Sequence, residues 1–391
     1  MVSASNKKKA LIVLTGLTIL VITIVAVTLS SSSSSVNEGS DEPHPVWKEL
    51  RLARDIVPND YCIALDVYVD NSQYNGTVKI NVTVFKTTSI VRIHKLKLNI
   101  THTSILKTSL SVVGGNERRS VSIKRTFDYL PNEFWVIESA EPLLKGGIYE
   151  IVLHFEAFLE DELNGFYRGS YRDTNGMERK FASTFFSPIS ARKAFPCFDE
   201  PLFKATFQIT LSYESHLKAL SNMPESSSVS QSGTRGRTKT TFLKSLVTST
   251  YILCWVITDF NSLPFPNTEN GLELTGWTPR NKNVTELQFG LNLTNALLPV
   301  YEDYFQIDFP LGKLDVLTLP AFAPSAMENW GLILFRSSKF LINPLSTVES
   351  KKLTMKIMAH ELVHQWFGNL ATMKFWNDAW LKEGIKLSLY S

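Results

Sequence analysis

TVKINVTVF, residues 77–85, decides the fold class of the first half of the chain. From Thr77 to Val84 polar and apolar residues alternate strictly, which is the pattern of a β-strand with one buried face. No window between residues 46 and 258 sustains a helical period, so this region is predicted to be an all-β domain. Similar strand-like runs occur at YEIVLHFEAF (149–158), ATFQITLSY (205–213) and STYILCWVITDF (249–260). The polar stretch 226–240 between two such runs is interpreted as a loop.

The pattern changes after residue 259. Residues 286–305 have helical spacing, and 313–322 and 330–338 are predicted strands. Ser346 with Glu349 three residues later has the form of a capping box, so a helix is predicted to begin there and to end near Gly368. A second helix is predicted over 377–390. Strands followed by helices indicate an α+β domain over residues 259–391.

The composition excludes some classes of function. The chain has 391 residues and a formal net charge of +3, which gives no basic stripe of the kind that nucleic-acid-binding proteins carry. Its three cysteines, Cys62, Cys197 and Cys254, form no CxxC pair, so neither a thiolate metal site nor a disulfide scaffold is predicted.

The N-terminus predicts a membrane anchor. Three lysines at residues 7–9 precede twenty uncharged, mainly apolar residues, 10–29, which as a helix span about 30 Å, the thickness of the hydrocarbon core. The alternative is a cleaved signal peptide, whose apolar segment is normally only about 7–15 residues long. The preceding lysines predict a cytoplasmic tail at residues 1–9 and a single-pass type II protein of the cell membrane.

Two further features agree with an extracellular location. Residues 30–45 form a polar, serine-rich stalk that has no means of building a core. Behind an anchor, Asn-x-Ser/Thr triplets become plausible glycosylation sites. These triplets begin at Asn75, Asn81, Asn99, Asn283 and Asn292.

HELVH, residues 360–364, is the strongest chemical signal. On a helix, His360 and His364 lie on one face and can present two imidazoles to one ion, with Glu361 beside them. Glu383 follows nineteen residues after His364 on the next predicted helix, where its carboxylate can supply a third ligand. The alternative is a chance pair of solvated histidines and a solvated glutamate.

SAMENWGLILFR, residues 325–336, places Glu328 at the start of an apolar strand. If that strand borders a cleft, its backbone can pair with an extended peptide, and the carboxylate can recognise a protonated α-amine. Taken alone, Glu328 is better explained as an edge-strand charge that discourages aggregation.

Three segments resemble the gluzincin zinc aminopeptidases, whose members include type II membrane ectoenzymes. HELVHQWFGNLATMKFWNDAWLKEG is similar to their HExxH-x18-E signature, SAMEN to their GxMEN motif, and KAFPCFDEP (193–201) to a stretch of their N-terminal domain. The resemblance covers about residues 46–391. It implies a saddle-like all-β domain, 46–258, followed by a thermolysin-like α+β catalytic domain, 259–391.

The resemblance also implies the roles of the site residues. His360, His364 and Glu383 would bind one Zn²⁺ per chain, and Glu361 would be the general base that deprotonates water at the zinc. Glu328 would hold the free N-terminal amine of a peptide substrate. Ala326 and Met327 would run along the substrate backbone.

Several positions depart from the family pattern. Ser325 replaces the first glycine of GxMEN, and KEGIK replaces NEGFA, which puts Lys382 beside Glu383. Phe185 stands where relatives carry glutamine or aspartate. A phenylalanine there favours substrates whose N-terminal residue is hydrophobic or neutral. The family's oxyanion-stabilising tyrosine and C-terminal helical domain would follow residue 391, so the catalytic domain is expected to be truncated and turnover weak or absent.

Two functions from different classes therefore compete. The first is a membrane-anchored zinc aminopeptidase that acts on peptides with a free N-terminus, in which homodimers are a further expectation. The second is a catalytically inactive, membrane-anchored ectodomain that binds peptides or proteins. A soluble endopeptidase with the same HExxH motif is a distant third, because SAMEN would have no role in it. No nucleic-acid partner is expected.

Overall fold

The computed structural model describes residues 45–110, 116–231, 236–266, 268 and 271–388. The predicted cytoplasmic tail, the membrane anchor and residues 30–44 of the stalk lie outside this range. Within it, no helix combines the length and apolar character needed to cross a bilayer. Residues from Val46 onward form one compact unit. The domain boundary at 258/259 therefore stays a prediction.

The first half is built from strands, as its alternating sequence predicts. These strands are β1 (Ile56–Tyr68), β2 (Gln73–Val84), β3 (Thr88–His94), β4 (Asn99–Leu110), β5 (Asn116–Val121), β6 (Ile123–Tyr129), β7 (Phe134–Leu143), β8 (Ile148–Phe158), β9 (Gly165–Arg172), β10 (Glu178–Phe185), β11 (Thr206–Glu214), β12 (Lys218–Ser221), β13 (Glu225–Ser230), β14 (Arg237–Phe242) and β15 (Trp255–Thr258).

They form three sheets. The largest has the order β13-β14-β11-β1-β2-β8-β4-β5, and only its β1–β11 pair is parallel. The second has the order β3-β7-β6 and the third β12-β15-β10-β9. In β2, Val78, Ile80, Val82 and Val84 are fully buried, so the alternation seen in the sequence corresponds to one core-facing side of a central strand.

The prediction of a loop over residues 226–240 is wrong. Strands β13 and β14 pair antiparallel there and occupy one edge of the large sheet. All six residues of β13 are exposed, so the strand has no buried face and its sequence shows no apolar alternation.

The second half combines a mixed sheet with helices. Its strands are β16 (Asn261–Pro264), β17 (Glu273–Thr278), β18 (Lys313–Leu319), β19 (Ala326–Met327) and β20 (Leu332–Arg336), and its α-helices are α1 (Gln288–Phe305), α2 (Ser337–Phe340), α3 (Val348–Val363) and α4 (Ala379–Ser388). The sheet order is β16-β17-β18-β20-β19. Pairs β17–β18 and β18–β20 are parallel, and β19 is an antiparallel edge strand. The sheet-rich α+β class is therefore confirmed.

Helix α3, which carries the HELVH segment, packs on α1. The hydroxyl of Tyr301 donates to the backbone carbonyl of Ala359 at 3.2 Å, and that of Thr294 donates to the sulfur of Met358 at 3.4 Å. The predicted capping residue was one position too early: Thr347, not Ser346, caps α3, and its hydroxyl accepts from the backbone N–H of Ser350 at 3.1 Å.

Two hydrophobic cores meet at the sheet of β9, β10, β12 and β15. Phe166 and Trp255 pack in the core of the first half, whereas Tyr167 and Phe181 pack in the core of the second half. Met223 contacts both cores. The β-rich half therefore supports the sheet and helices that carry the candidate site.

Candidate metal centre

Helix α3 places two imidazole side chains next to each other. His360 and His364 are four residues apart, and their ring centroids lie 4.7 Å apart with the ring planes nearly perpendicular. His364 is buried, while His360 is about a quarter exposed. The helix ends at Val363, so His364 occupies its C-terminal cap.

The third candidate ligand, Glu383, lies on α4. His360, His364 and Glu383 each have one ligand atom within 4.8 Å of the other two. Among the residues described, these three form the group that could hold a metal ion. Donor atoms bound tetrahedrally at about 2.1 Å from one zinc ion are about 3.4 Å apart. Small side-chain movements are therefore enough to close the triad on an ion.

The hydrogen bonds of His364 fit a metal ligand. Its Nδ1 donates to the backbone carbonyl of Phe367 at 3.0 Å, which leaves the lone pair on Nε2. That Nε2 is buried, has no hydrogen-bond partner among the described residues, and lies 3.8 Å from a carboxylate oxygen of Glu383. A buried nitrogen that is fixed in one tautomer and directed at an acid is what a metal ligand requires.

Glu361 lies beside the triad. Its carboxylate is buried, one oxygen is 3.7 Å from Nε2 of His360, and the other has no hydrogen-bond partner in the described part of the chain. Burial raises the pKa of Glu361 well above its usual range, and the nearby Glu328 carboxylate raises it further. Such a carboxylate is a stronger base than a solvated glutamate.

Glu328 is held at the edge of the mixed sheet, directly after β19. Its backbone carbonyl accepts from the side-chain amides of Gln365 at 3.1 Å and Asn369 at 2.8 Å. These two amides were missed by the sequence reasoning. The spacing could have indicated Gln365, because it follows Glu361 by one helical turn. In the structure its side-chain amide also donates to the Glu361 carbonyl at 3.1 Å.

The carboxylate of Glu328 already has a cationic partner. The Lys382 ammonium donates to Glu328 Oε1, and both side chains are buried. Burial raises the pKa of Glu328, but the charge and hydrogen bond of Lys382, together with the nearby His364, outweigh burial and bring the pKa to about 2. Burial likewise lowers the pKa of Lys382, but the charge and hydrogen bond of Glu328, together with the charges of Glu383 and Glu361, outweigh burial and the net shift is upward. The pair is therefore ionised at neutral pH.

Gly368 and Tyr251 shape the space around Lys382. Gly368 has a φ of +140°, and a Cβ there would lie 3.1 Å from Lys382 Cε and 3.3 Å from His364 Nδ1. The Lys382 ammonium lies 5.0 Å from the centroid of the Tyr251 ring, whose hydroxyl donates to the Gly368 carbonyl at 2.7 Å. Tyr251 was also missed, because it belongs to a strand-like run far from the motif in sequence.

The remaining predicted substrate contacts are near the same edge. Ala326 is partly buried and pairs with Phe335, while the Met327 side chain is buried in the core, so only its backbone is available to a ligand. Phe185 packs edge-to-face on Phe322, with ring centroids 5.3 Å apart. Its role in substrate selection stays a prediction.

Two family models match the chain. The Peptidase M1 N-terminal domain matches residues 57–252, and the Peptidase family M1 domain matches residues 289–389. The two matches cover most of residues 57–389 in the expected order.

Curated relatives agree with the family matches. The chain is 37% identical to glutamyl aminopeptidase of Rattus norvegicus over 91% of its own length and 37% of that protein's length. It is 36% identical to endoplasmic reticulum aminopeptidase 1 of Homo sapiens, over 91% of this chain and 37% of that protein. It is 37% identical to aminopeptidase N of Canis lupus familiaris, over 87% of this chain and 35% of that protein. The chain thus spans little more than a third of these relatives. It belongs to peptidase family M1.

Proposed function

We propose that this chain carries the chemistry of a zinc-dependent aminopeptidase, which hydrolyses the first peptide bond of peptides with a free N-terminus. One observation carries the proposal: two imidazoles and a carboxylate converge within 4.8 Å, and the buried Glu361 carboxylate adjoins them. Membership of peptidase family M1 supports the same reaction class.

The donor set fits zinc. Two histidine nitrogens and one glutamate oxygen are typical of catalytic zinc sites, which leave a fourth position open. His360, His364 and Glu383 would hold one Zn²⁺, with the Phe367 carbonyl fixing the His364 tautomer. When bound, the ion supplies Lewis acidity that makes water more acidic and polarises a carbonyl group.

Glu361 acts as the general base. Its carboxylate takes a proton from the attacking water while the water oxygen bonds to the scissile carbonyl carbon. The same proton passes to the departing nitrogen as the C–N bond breaks, which returns Glu361 to its ionised form. The buried position of Glu361 excludes competing solvent from this transfer.

Glu328 restricts cleavage to the N-terminal residue. Its carboxylate pairs with the protonated α-amine of the peptide, and the edge position of β19 lets the Ala326–Met327 backbone lie alongside an extended ligand. Phe185 and Phe322 favour a hydrophobic or neutral N-terminal side chain. The Lys382 ammonium already contacts this carboxylate, so the substrate amine competes with it there.

The location of the protein is proposed from the sequence. The uncharged segment 10–29 behind three lysines supports a type II anchor in the cell membrane with residues 30–391 outside. Homodimerisation is part of the same proposal and rests on the family resemblance alone. Protease protection in microsomes tests the orientation, and sedimentation of the detergent-solubilised chain tests the dimer.

Hydrolysis of aminoacyl anilides by the purified chain tests the proposed reaction. Removing zinc with a chelator should abolish the signal and restoring zinc should recover it. Glu361→Gln should reduce turnover by at least about 100-fold while zinc is retained, because the base is lost and the ligands remain. Glu349→Gln is the matched control, since Glu349 is exposed on the same helix.

The same assay separates the two candidate functions. Metal-dependent turnover that falls in Glu361→Gln supports the aminopeptidase, whatever its rate. Zinc retention without any turnover, in a chain that still binds peptides, would instead support the inactive peptide-binding ectodomain.

A further inference from the structure

Lys382 has an unusual environment for a lysine. It is 7% exposed, and its ammonium contacts the Glu328 carboxylate, lies 3.7 Å from Glu383 Oε1 and lies 5.0 Å from the Tyr251 ring centroid. Buried lysines are rare because the ammonium loses its hydration, so the side chain is held there by its anionic partners and the ring. The absent side chain of Gly368 leaves room for the lysine stem.

The ammonium of Lys382 has the chemistry of a peptide N-terminus. Both are primary ammonium groups that donate hydrogen bonds to a carboxylate and carry one positive charge. Among the described residues, the cationic side chain that pairs with Glu328 is that of Lys382. A ligand amine that approaches Glu328 therefore meets a carboxylate whose charge is already compensated.

We propose that Lys382 is a specificity-determining residue whose ammonium occupies the amine-binding position of Glu328. A free N-terminus competes with it, so the preference that Glu328 gives to a charged amine over a blocked N-terminus is reduced. The inference rests on the proposed role of Glu328 and adds that the chain competes with its own ligand.

The geometry favours competition over a purely structural ion pair. Glu328 directly follows the edge strand along which a peptide would lie, and the Lys382 ammonium that contacts it is also 3.7 Å from Glu383 Oε1. The ammonium is therefore at the junction of the peptide edge and the metal centre. A pair that served only stability would not need to lie at this junction.

Calorimetry with two small ligands tests the proposal on the full chain, with metal removed by a chelator. Phenylalaninamide carries a free α-amine, and N-acetylphenylalaninamide is the matched ligand without the charge. In the unaltered chain, the two affinities should differ by less than about tenfold. Stronger selection of the free amine would overturn the proposal, and this arm requires no variant.

Three substitutions complete the test. Lys382→Met keeps an unbranched side chain without the charge, and Lys382→Gln is a second neutral variant in case the first folds poorly. In a folded neutral variant, the preference for phenylalaninamide should rise by at least about tenfold, because Glu328 regains an unpaired carboxylate. Lys382→Arg retains a cation and should keep the weak preference.

Thermal unfolding supplies an independent readout. Phenylalaninamide should raise the melting temperature of Lys382→Met more than that of the unaltered chain, because the ligand amine replaces the missing ammonium. N-acetylphenylalaninamide should raise the melting temperatures of the two chains by equal amounts. Equal ligand preference in the unaltered and neutral chains would refute the inference. Because these measurements use neither zinc nor turnover, their outcome is separate from that of the hydrolysis assay.

Discussion

Lys382 and Glu328, 54 residues apart in sequence, form a buried ion pair between helix α4 and the end of edge strand β19. The contact joins the segment that carries Glu383 to the segment proposed to recognise the substrate amine. It therefore contributes both to the packing of the site and to its charge balance.

A double-mutant cycle measures how strongly the two residues are coupled. Lys382→Met alone should lower the free energy of unfolding by about 3–5 kcal/mol, because a buried carboxylate is left without its partner. The double variant with Glu328→Gln should lose less than the sum of the single losses. Denaturant titration gives the coupling energy, and strictly additive losses would show that the pair is not an energetic unit.

Gly290 on α1 is predicted to be required for helix packing. A Cβ at this position would overlap the Phe340 ring, so Gly290→Ala should cost about 1–3 kcal/mol of stability despite the better helix propensity of alanine. Gly384→Ala on α4 is the matched control, since a Cβ there meets no neighbouring atom of the described residues. That variant should be unchanged or stabilised. Equal effects at both glycines, measured by thermal unfolding, would contradict the packing.

His94 should make the folded chain sensitive to mild acid. It is buried, and its Nδ1 accepts from the backbone N–H of Asp199 at 3.2 Å. Burial lowers its pKa well below 6.5, and the charges of Arg192 and Arg92 add to the shift. The unfolded chain then binds the proton more readily, so this stability is complete above about pH 6.5 and is lost as the pH falls towards the folded pKa.

The His94 contribution should reach a slope of at most about 1.4 kcal/mol per pH unit. Denaturant unfolding between pH 8 and pH 5 measures it. His94→Gln should make the dependence shallower, whereas His216→Gln, at an exposed side chain, is the matched control. An unchanged slope in His94→Gln would rule out this source of acid sensitivity.

Much of the fold follows from local patterns. The alternation in residues 77–84 corresponds to the buried side of β2, and the helical spacing of 286–305 corresponds to α1 at Gln288–Phe305. The β13–β14 hairpin was missed because neither face of β13 is buried. The α3 cap was misplaced by one residue because serine and threonine compete for that role.

The candidate metal centre was predictable because its ligands follow a fixed spacing. His360 and His364 are related by one helical turn, and Glu383 lies nineteen residues after His364. The contacts of Tyr251, Asn369 and Lys382 with this region depend on how distant segments pack. Such tertiary neighbours leave no periodic signal in the sequence.

Zinc analysis of the purified chain tests the central claim most directly. We expect about one zinc per chain after dialysis, with strong loss in His364→Gln and Glu383→Gln and full retention in the exposed-site control His216→Gln. Circular dichroism confirms that each variant is folded. A folded chain that retains no zinc, or that retains it equally well without His364 and without Glu383, would contradict the proposed metal centre.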